Sequence, residues 1–556
     1  MTSLFGHARN FAATAIASEQ IDSRDWMRPE DAADTLRGVI ATLGGDENAA
    51  TLAESLGRPI WIDFVADTGD DRDVSTAVAK MIFASYELEG RTLPRGDVLL
   101  FGGDTAYPVA SADEIYRRLV QPWNEVLRAP DVDDGAPRVI IGIPGNHDWY
   151  DGLDGFGRLF RQSASSGERD EHVPGSRTPK EPLRLTTTRP AGVVARQLHL
   201  DEVGGLFKIV AQLARSVRGL WKGPPPMRRK RLAFDGYTAV QQCSYFTLPL
   251  APDLDVYAVD RQLGRLDFRQ RTFFRQRREK MPNARVLFVA PDPAIAFGER
   301  WDVGARMLTG CLLRLDEDRI FYLTGDMHHY ERRVVGRSLH VIAGGGGAFL
   351  HGTRIRPGPG GAPAREYPTG AMSRRLVAQV PLKLMLGGAG FIVHIAFAFV
   401  ASLELGASLR GTTELVVMAV AMSAVMATAF FMNAAHKRAK GWQIAATAVP
   451  FGIALGLLPM ALRLALPELV PELAGDTAVI VAYAFLGALG FGLFLMTIAI
   501  VGLEHQQAFS VLSHPGYKHF VRLCVHPSGR IEGWAIGKDD PIAAGPAVLV
   551  DRFEWE

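Results

Sequence analysis

Cysteine is scarce: only Cys243, Cys311 and Cys524 occur in 556 residues, and no two form a Cys-x-x-Cys pair. This argues against a disulfide framework or a cysteine zinc cluster and fits a reducing compartment. Net charge is equally small. A formal +1 leaves no global basic excess, so a nucleic-acid partner is not expected. The opening stretch MTSLFGHARNFAATAIASEQIDSRDW holds one short, interrupted apolar patch, so no cleaved signal peptide is expected. A GxxxxGK[ST] phosphate loop, a GxSxG nucleophile elbow and internal repeats are also absent.

Long hydrophobic runs are absent before residue 376 and abundant after it. Four follow in succession: Leu384 to Leu403, Leu415 to Met432, Ile444 to Leu466 and Ala478 to Leu503. About 20 apolar residues, rising about 1.5 Å each, cross the hydrocarbon core, so four membrane spans are expected. Arg374, Arg375 and Lys383 precede the first run, and His436 to Lys440 joins the second to the third. The opposite loops carry Arg410 and the acidic Glu468, Glu472 and Asp476. By the positive-inside rule the chain is expected to be a multi-pass protein of the inner (cytoplasmic) membrane, with the soluble domain and both termini cytoplasmic. Few charges lie in the runs, which counts against ion transport, and His394 reads more simply as a packed polar group than as a functional one.

The length suggests several domains at roughly 150 residues each. Four segments are expected: a helical stretch over 1–57, a catalytic domain over 58–375, spans over 376–504, and a β-rich segment over 505–556 that packs back on the catalytic domain because so short a piece lacks a core of its own. A Pro- and Arg-rich insertion occupies roughly 154–236, with a basic cluster from Trp221 to Arg231 suited equally to solvent or to anionic groups. Between these landmarks, apolar strands alternate with helical stretches, the signature of layered α/β architecture.

Chemistry-bearing residues gather where the apolar runs end, the edge at which α/β sheets build sites. Asp67 and Asp70 follow PIWIDFVA. Asp104 and Tyr107 follow DVLLF, while Asn146, His147 and Asp148 follow RVIIGI. Asp326, His328 and His329 follow FYLT, and a glycine run, Gly344 to Gly347, precedes His351. One Asp after a strand is usually a helix cap; four such ends, each with glycine and an oxygen or imidazole donor, suit hard cations and the Fe, Mn and Zn range. The glycine run suits close backbone approach better than phosphate binding.

The order Asp…GGDxxY…GNHD…GxxH resembles the calcineurin-like metallophosphoesterase superfamily over roughly residues 58–352. Glycine in the first motif with Tyr107 in the second is similar to purple acid phosphatases. The four runs and the GGGGAFLH stretch resemble a bacterial and plant membrane group of the superfamily. The resemblance implies an αββα sandwich before a four-helix transmembrane region, and a site for two divalent or mixed-valence ions (Mn, Fe or Zn). On it Asp67, Tyr107 and His328 hold the first ion, Asp104 bridges, Asn146 binds the second, and His147 contacts phosphate and protonates the leaving group. Two departures touch the second ion: Asp326 replaces a histidine, and Pro291 stands where another His is usual, leaving Asp292 or His351 as substitutes. The expected activity is hydrolysis of a phosphomonoester or phosphodiester by metal-bound hydroxide, with lipid-derived esters among the candidate substrates. The alternative is a degenerate phosphoesterase serving as a ligand- or metal-binding membrane sensor.

Overall fold

The computed structural model describes residues 29–132, 134–162, 183–184, 232–261, 264–356, 360–434, 440–469 and 475–556. The basic cluster 221–231 and most of the expected insertion lie outside them. Two compact units emerge. One gathers the chain to Ala348 with Gly360–Tyr367 and Pro515–Glu556; the other holds Phe349–Pro359 and Pro368–His514.

The first unit is mixed α/β. After α1 (Ala32–Leu43), β1 (Ile60–Val65) leads into α2 (Arg72–Ile82), then β2 (Val98–Phe101), β3 (Arg138–Gly142) and β4 (Tyr237–Ala239). A second series follows: β5 (Phe246–Ala251), β6 (Leu254–Ala258), α3 (Phe268–Lys280), β7 (Arg285–Ala290), β8 (Ile320–Thr324), β9 (Tyr330–Val335), β10 (Ser338–Ala343) and β11 (Arg365–Tyr367). Three strands complete the chain: β12 (Lys518–Val525), β13 (Ile531–Lys538) and β14 (Val548–Trp555).

Two seven-stranded sheets result, ordered β14-β13-β12-β1-β2-β3-β4 and β11-β9-β10-β8-β7-β6-β5. Strands β1, β2 and β3 run parallel, as do β6, β7, β8 and β10. Parallel strands are covered on both faces, and so VLLF, RVIIG and IFYLT read as continuous apolar runs and are wholly buried. On one flank Val74, Val78 and Ile82 of α2 join the cluster that holds Val65, Leu99 and Phe101. On the other, Phe274 of α3 lies 5.3 Å from Tyr257. Between the sheets, Phe321 of β8 meets Phe553 and Trp555 of β14 at 5.6 and 6.0 Å.

Strand β12 pairs antiparallel with β1, Ile60 opposite Val525 through Phe64 opposite Val521. The join contains a buried ion pair. Arg522 Nε and Nη2 donate to Asp63 Oδ1 and Oδ2 at 2.6 and 3.0 Å, and its remaining donors reach the carbonyls of Ile82, Ala84 and Leu93. Such full satisfaction is the condition under which a buried pair is tolerated.

The second unit is helical. Three helices are long and apolar enough to cross a membrane: Thr412–Ala434, Gly441–Ala465 and Asp476–Val501, with mean hydropathies of 2.3, 1.9 and 2.3. Less than half of each is buried, so their outward faces are apolar too, as lipid requires. The expected first span differs. It divides into a short helix, Val380–Met385, and a 17-residue helix, Ile392–Ser408. Gly387 and Gly390 adopt left-handed φ of 75° and 89° between them, ending one helix before the next begins. His394 Nε2 donates to the Met385 carbonyl at 2.9 Å across this break, a packing role.

Candidate functional site

The acids that follow β1, β2 and β8 share an unusual backbone. Asp67, Asp104 and Asp326 have φ of 59°, 52° and 63°. Left-handed residues other than glycine are uncommon, and Asp is among the few that tolerate the region. Three at three strand ends is local strain held in place by the surrounding structure, as functional sites hold it.

Their side chains converge on one phenol. Tyr107 Oη donates to Asp67 Oδ1 at 2.8 Å, lies 3.1 Å from Asp104 Oδ2 and 3.0 Å from His328 Nε2. His328 Nε2 is itself 3.6 Å from Asp67 Oδ1. All four side chains are buried. Each carboxylate is also held on its other oxygen. Asp67 Oδ2 accepts from the Asp326 N–H at 2.9 Å, and Asp104 Oδ1 accepts from the His147 N–H at 2.8 Å. Burial, with the charges of Asp104 and Asp326 adding to it, pushes the Asp67 carboxyl well above the usual range. The same causes raise the Tyr107 phenol, burial first and then the charge of Asp104. A cation among these groups relieves both.

The third strand end wraps the second. Gly145 sits so close to Asp104 that a Cβ would lie 2.0 Å from Oδ1, so only glycine fits. Asp148 fastens the two loops together: Oδ2 accepts from the Gly145 N–H at 2.8 Å, and Oδ1 accepts from the Thr105 hydroxyl and amide. Burial beside Asp104 raises its carboxyl to about 7. His147 Nδ1 donates to the Pro108 carbonyl at 2.7 Å, and its ring lies 4.2 Å from that of Tyr107. Asn146 Nδ2 donates to Tyr150 Oη at 3.1 Å.

On the second sheet, Asp292 follows β7 and Asp326 follows β8. Asp292 is paired with Arg261, Nη1 to Oδ1 at 3.0 Å, and burial with the nearby Asp326 charge raises it to about 8. The Asp326 carboxyl rises to about 6 through burial, opposed by Arg261. Arg261, two residues beyond β6 and its neighbour Val259, escaped the sequence reading. The signal was an Asp-Arg pair closing another apolar run.

The remaining expected residues separate. Asp70 pairs with Arg118 at 3.8 Å. His329 is fully buried, 5.3 Å from the Phe297 ring and 4.0 Å from Glu331 Oε2, and is not among the groups on Tyr107. His351 belongs to the helical unit, against Phe349 at 5.2 Å. The glycine run closes over β1: the Gly346 N–H donates to the Ala66 carbonyl at 3.0 Å, and a Cβ on Gly344 would lie 2.5 Å from Asp67 Oδ2.

Around Tyr107 the donor set is three oxygens and one imidazole nitrogen, a composition that fits Fe, Mn or Zn. The convergence runs through the tyrosine: among the described residues, no group of three or more His, Cys, Asp or Glu is by itself arranged to hold an ion. On the second sheet, the residues fit a second ion poorly, because a guanidinium already stands against Asp292. Compared with known proteins, the chain matches no family model and no curated protein.

Proposed function

We propose that this chain is a membrane-anchored, metal-dependent phosphoesterase of the calcineurin-like metallophosphoesterase superfamily, acting on a phosphomonoester or phosphodiester. The observation that carries the reading is the convergence of Asp67, Asp104 and His328 on the Tyr107 hydroxyl. An αββα layering is supported by the Phe321–Phe553 contact between the sheets and by α2 and α3 on their outer flanks.

Asp67, Asp104, Tyr107 and His328 would hold the ion, whose chemistry when bound is Lewis-acid polarisation of a phosphoryl oxygen and activation of water. The chain's own groups do the rest. The Asp326 and His147 amides fix the carboxylates, so no reorganisation is needed when charge develops. His147, oriented by Pro108, presents Nε2 to a leaving-group oxygen and suits general-acid work near neutral pH. Anchoring by apolar helices favours a membrane-derived ester as substrate.

Four crossings are supported by a strand pairing within the first unit. Strands β1 and β12 precede and follow the apolar helices yet share a sheet, so both lie on one side of a membrane. That requires an even number of crossings. Three long helices then need a fourth partner, and Ile392–Ser408, about 26 Å long, is the nearest to sufficient.

The test uses the full chain in detergent, with metal content measured and p-nitrophenyl phosphate and bis-p-nitrophenyl phosphate assayed with Mn, Fe or Zn. Turnover that vanishes in Asp104→Asn and His147→Ala is expected. Metal binding without turnover on any ester would favour the sensor reading. For orientation, Cys524 is buried and a poor reporter. In intact cells an impermeant maleimide should spare a Ser528→Cys chain and label an Arg410→Cys chain; the reverse pattern would invert the cytoplasmic assignment.

A further inference from the structure

The second sheet brings its own cation to the site. Arg261 leaves a backbone clamped from several directions. The neighbouring Asp260 accepts from Trp149 Nε1 at 2.8 Å and Ser244 Oγ at 2.5 Å, its N–H donates to Gln270 Oε1 at 3.0 Å, and its carbonyl accepts from Gln270 Nε2 at 2.9 Å. Trp149 belongs to the one-turn helix Asn146–Trp149 that also carries His147, so Arg261 is registered to that turn. Its side chain is one-fifth exposed (20%), with Nη1 on Asp292 Oδ1 at 3.0 Å. The charges of Asp292, Asp326 and Asp104 all act on it. Asp292 Oδ2 is buried and has no hydrogen-bond partner among the described residues.

A second dication placed here would meet a guanidinium at close range and a carboxylate already engaged. Resting on the phosphoesterase reading, we propose that Arg261 takes the second ion's place: the site works with one metal ion, and Arg261 binds the phosphoryl oxygens a second ion would otherwise hold. Guanidinium suits this task because its planar fork meets phosphate oxygens in pairs, and among the described residues Asp292 is the one carboxylate paired with it, through Nη1. The substrate class narrows accordingly. One dication plus a guanidinium supplies one positive charge fewer than two dications beside the same acidic side chains, so a singly charged phosphodiester is preferred to a doubly charged monoester.

The experiment uses the full-length protein in detergent with three readouts: ions bound per chain by elemental analysis, inorganic phosphate binding by calorimetry, and kinetics on the two nitrophenyl esters. One tightly bound ion per wild-type chain is expected, unchanged in Arg261→Ala. Phosphate affinity should fall and KM for the diester should rise by about 10- to 100-fold, the range of a charged hydrogen-bonded contact. Arg261→Lys, which keeps the charge against Asp292 and safeguards the fold, should recover only part of the loss. Two tight ions per wild-type chain, or phosphate affinity unchanged in Arg261→Ala, overturns the proposal. Absence of turnover in wild type, with phosphate binding still dependent on Arg261, overturns the phosphoesterase reading and leaves the anion site standing.

Discussion

Asp67 and Asp292 hold comparable positions on the two sheets. Each follows a buried parallel strand, and each carboxyl is driven upward by burial and by neighbouring acids. Their partners differ. Asp67 meets a phenol, an imidazole and a backbone amide. Asp292 meets a guanidinium, and its charge is already answered. On the proposed reading, similar strand ends serve as an ion-binding half and an anion-binding half, and the difference lies in one side chain, Arg261.

The most severe way to break the comparison is to remove the group that serves both halves. Asp104→Asn should lower turnover by roughly 10³-fold or more, because Lewis-acid assistance is worth several kcal/mol at about 1.4 kcal/mol per decade. The fold should survive, since Asn keeps an acceptor for the His147 amide, and circular dichroism checks it. Next in size, Tyr107→Phe should weaken metal affinity by about 10- to 100-fold, the usual scale for loss of a supporting or weak ligand. Asp292→Asn should leave metal affinity within about threefold while altering KM. Equal losses in the two variants, read by metal titration, would erase the distinction between halves.

A gentler probe uses pH. His340 of β10 is buried, and its Nε2 accepts from the Ala294 and Ile295 amides at 3.1 and 3.2 Å, just beyond Asp292. His519 of β12 is buried with Nδ1 near the Tyr517 carbonyl at 3.1 Å. Burial lowers both to about 3. The folded value lies below the unfolded one of about 6.5, so this stability is complete above pH 6.5. It is lost as pH falls from there toward 3, at about 1.4 kcal/mol per pH unit for each group. Denaturant unfolding of wild type and of a His340→Gln chain, which keeps an acceptor, between pH 7 and 5.5 isolates one group: relative to the variant, wild type should lose about 1.4 kcal/mol per pH unit.

Much of this was legible in the sequence because parallel strands covered on both faces become unbroken apolar runs. PIWIDFVA, DVLLF and RVIIGI coincide with β1, β2 and β3 to within two residues at either end. Glycine beside acid at each end was also legible, since close backbone approach leaves few alternatives to glycine. Arg261 was not, because an arginine after a strand resembles any solvated charge until the fold sets it against Asp292. Nor was the break at Gly387 and Gly390, since hydropathy averages over single residues and does not register a reversed φ. Strand β14 falls within the expected β-rich segment, though after VLV its DRFEW interleaves charge with aromatics.

The ladder between β1 and β12 also has a consequence in time. Asp63 and Arg522 are 459 residues apart. At the usual 5–20 residues per second of synthesis, Asp63 waits roughly 20–90 s for its partner. Throughout that interval β1 has an open edge and its acid lacks the guanidinium, an invitation to wrong pairing. The ribosome must also deliver every apolar helix before the sheet can close. Synthesis of the apolar helices therefore precedes closure of this sheet, and the β1–β12 pairing is a late event in the biogenesis of the chain.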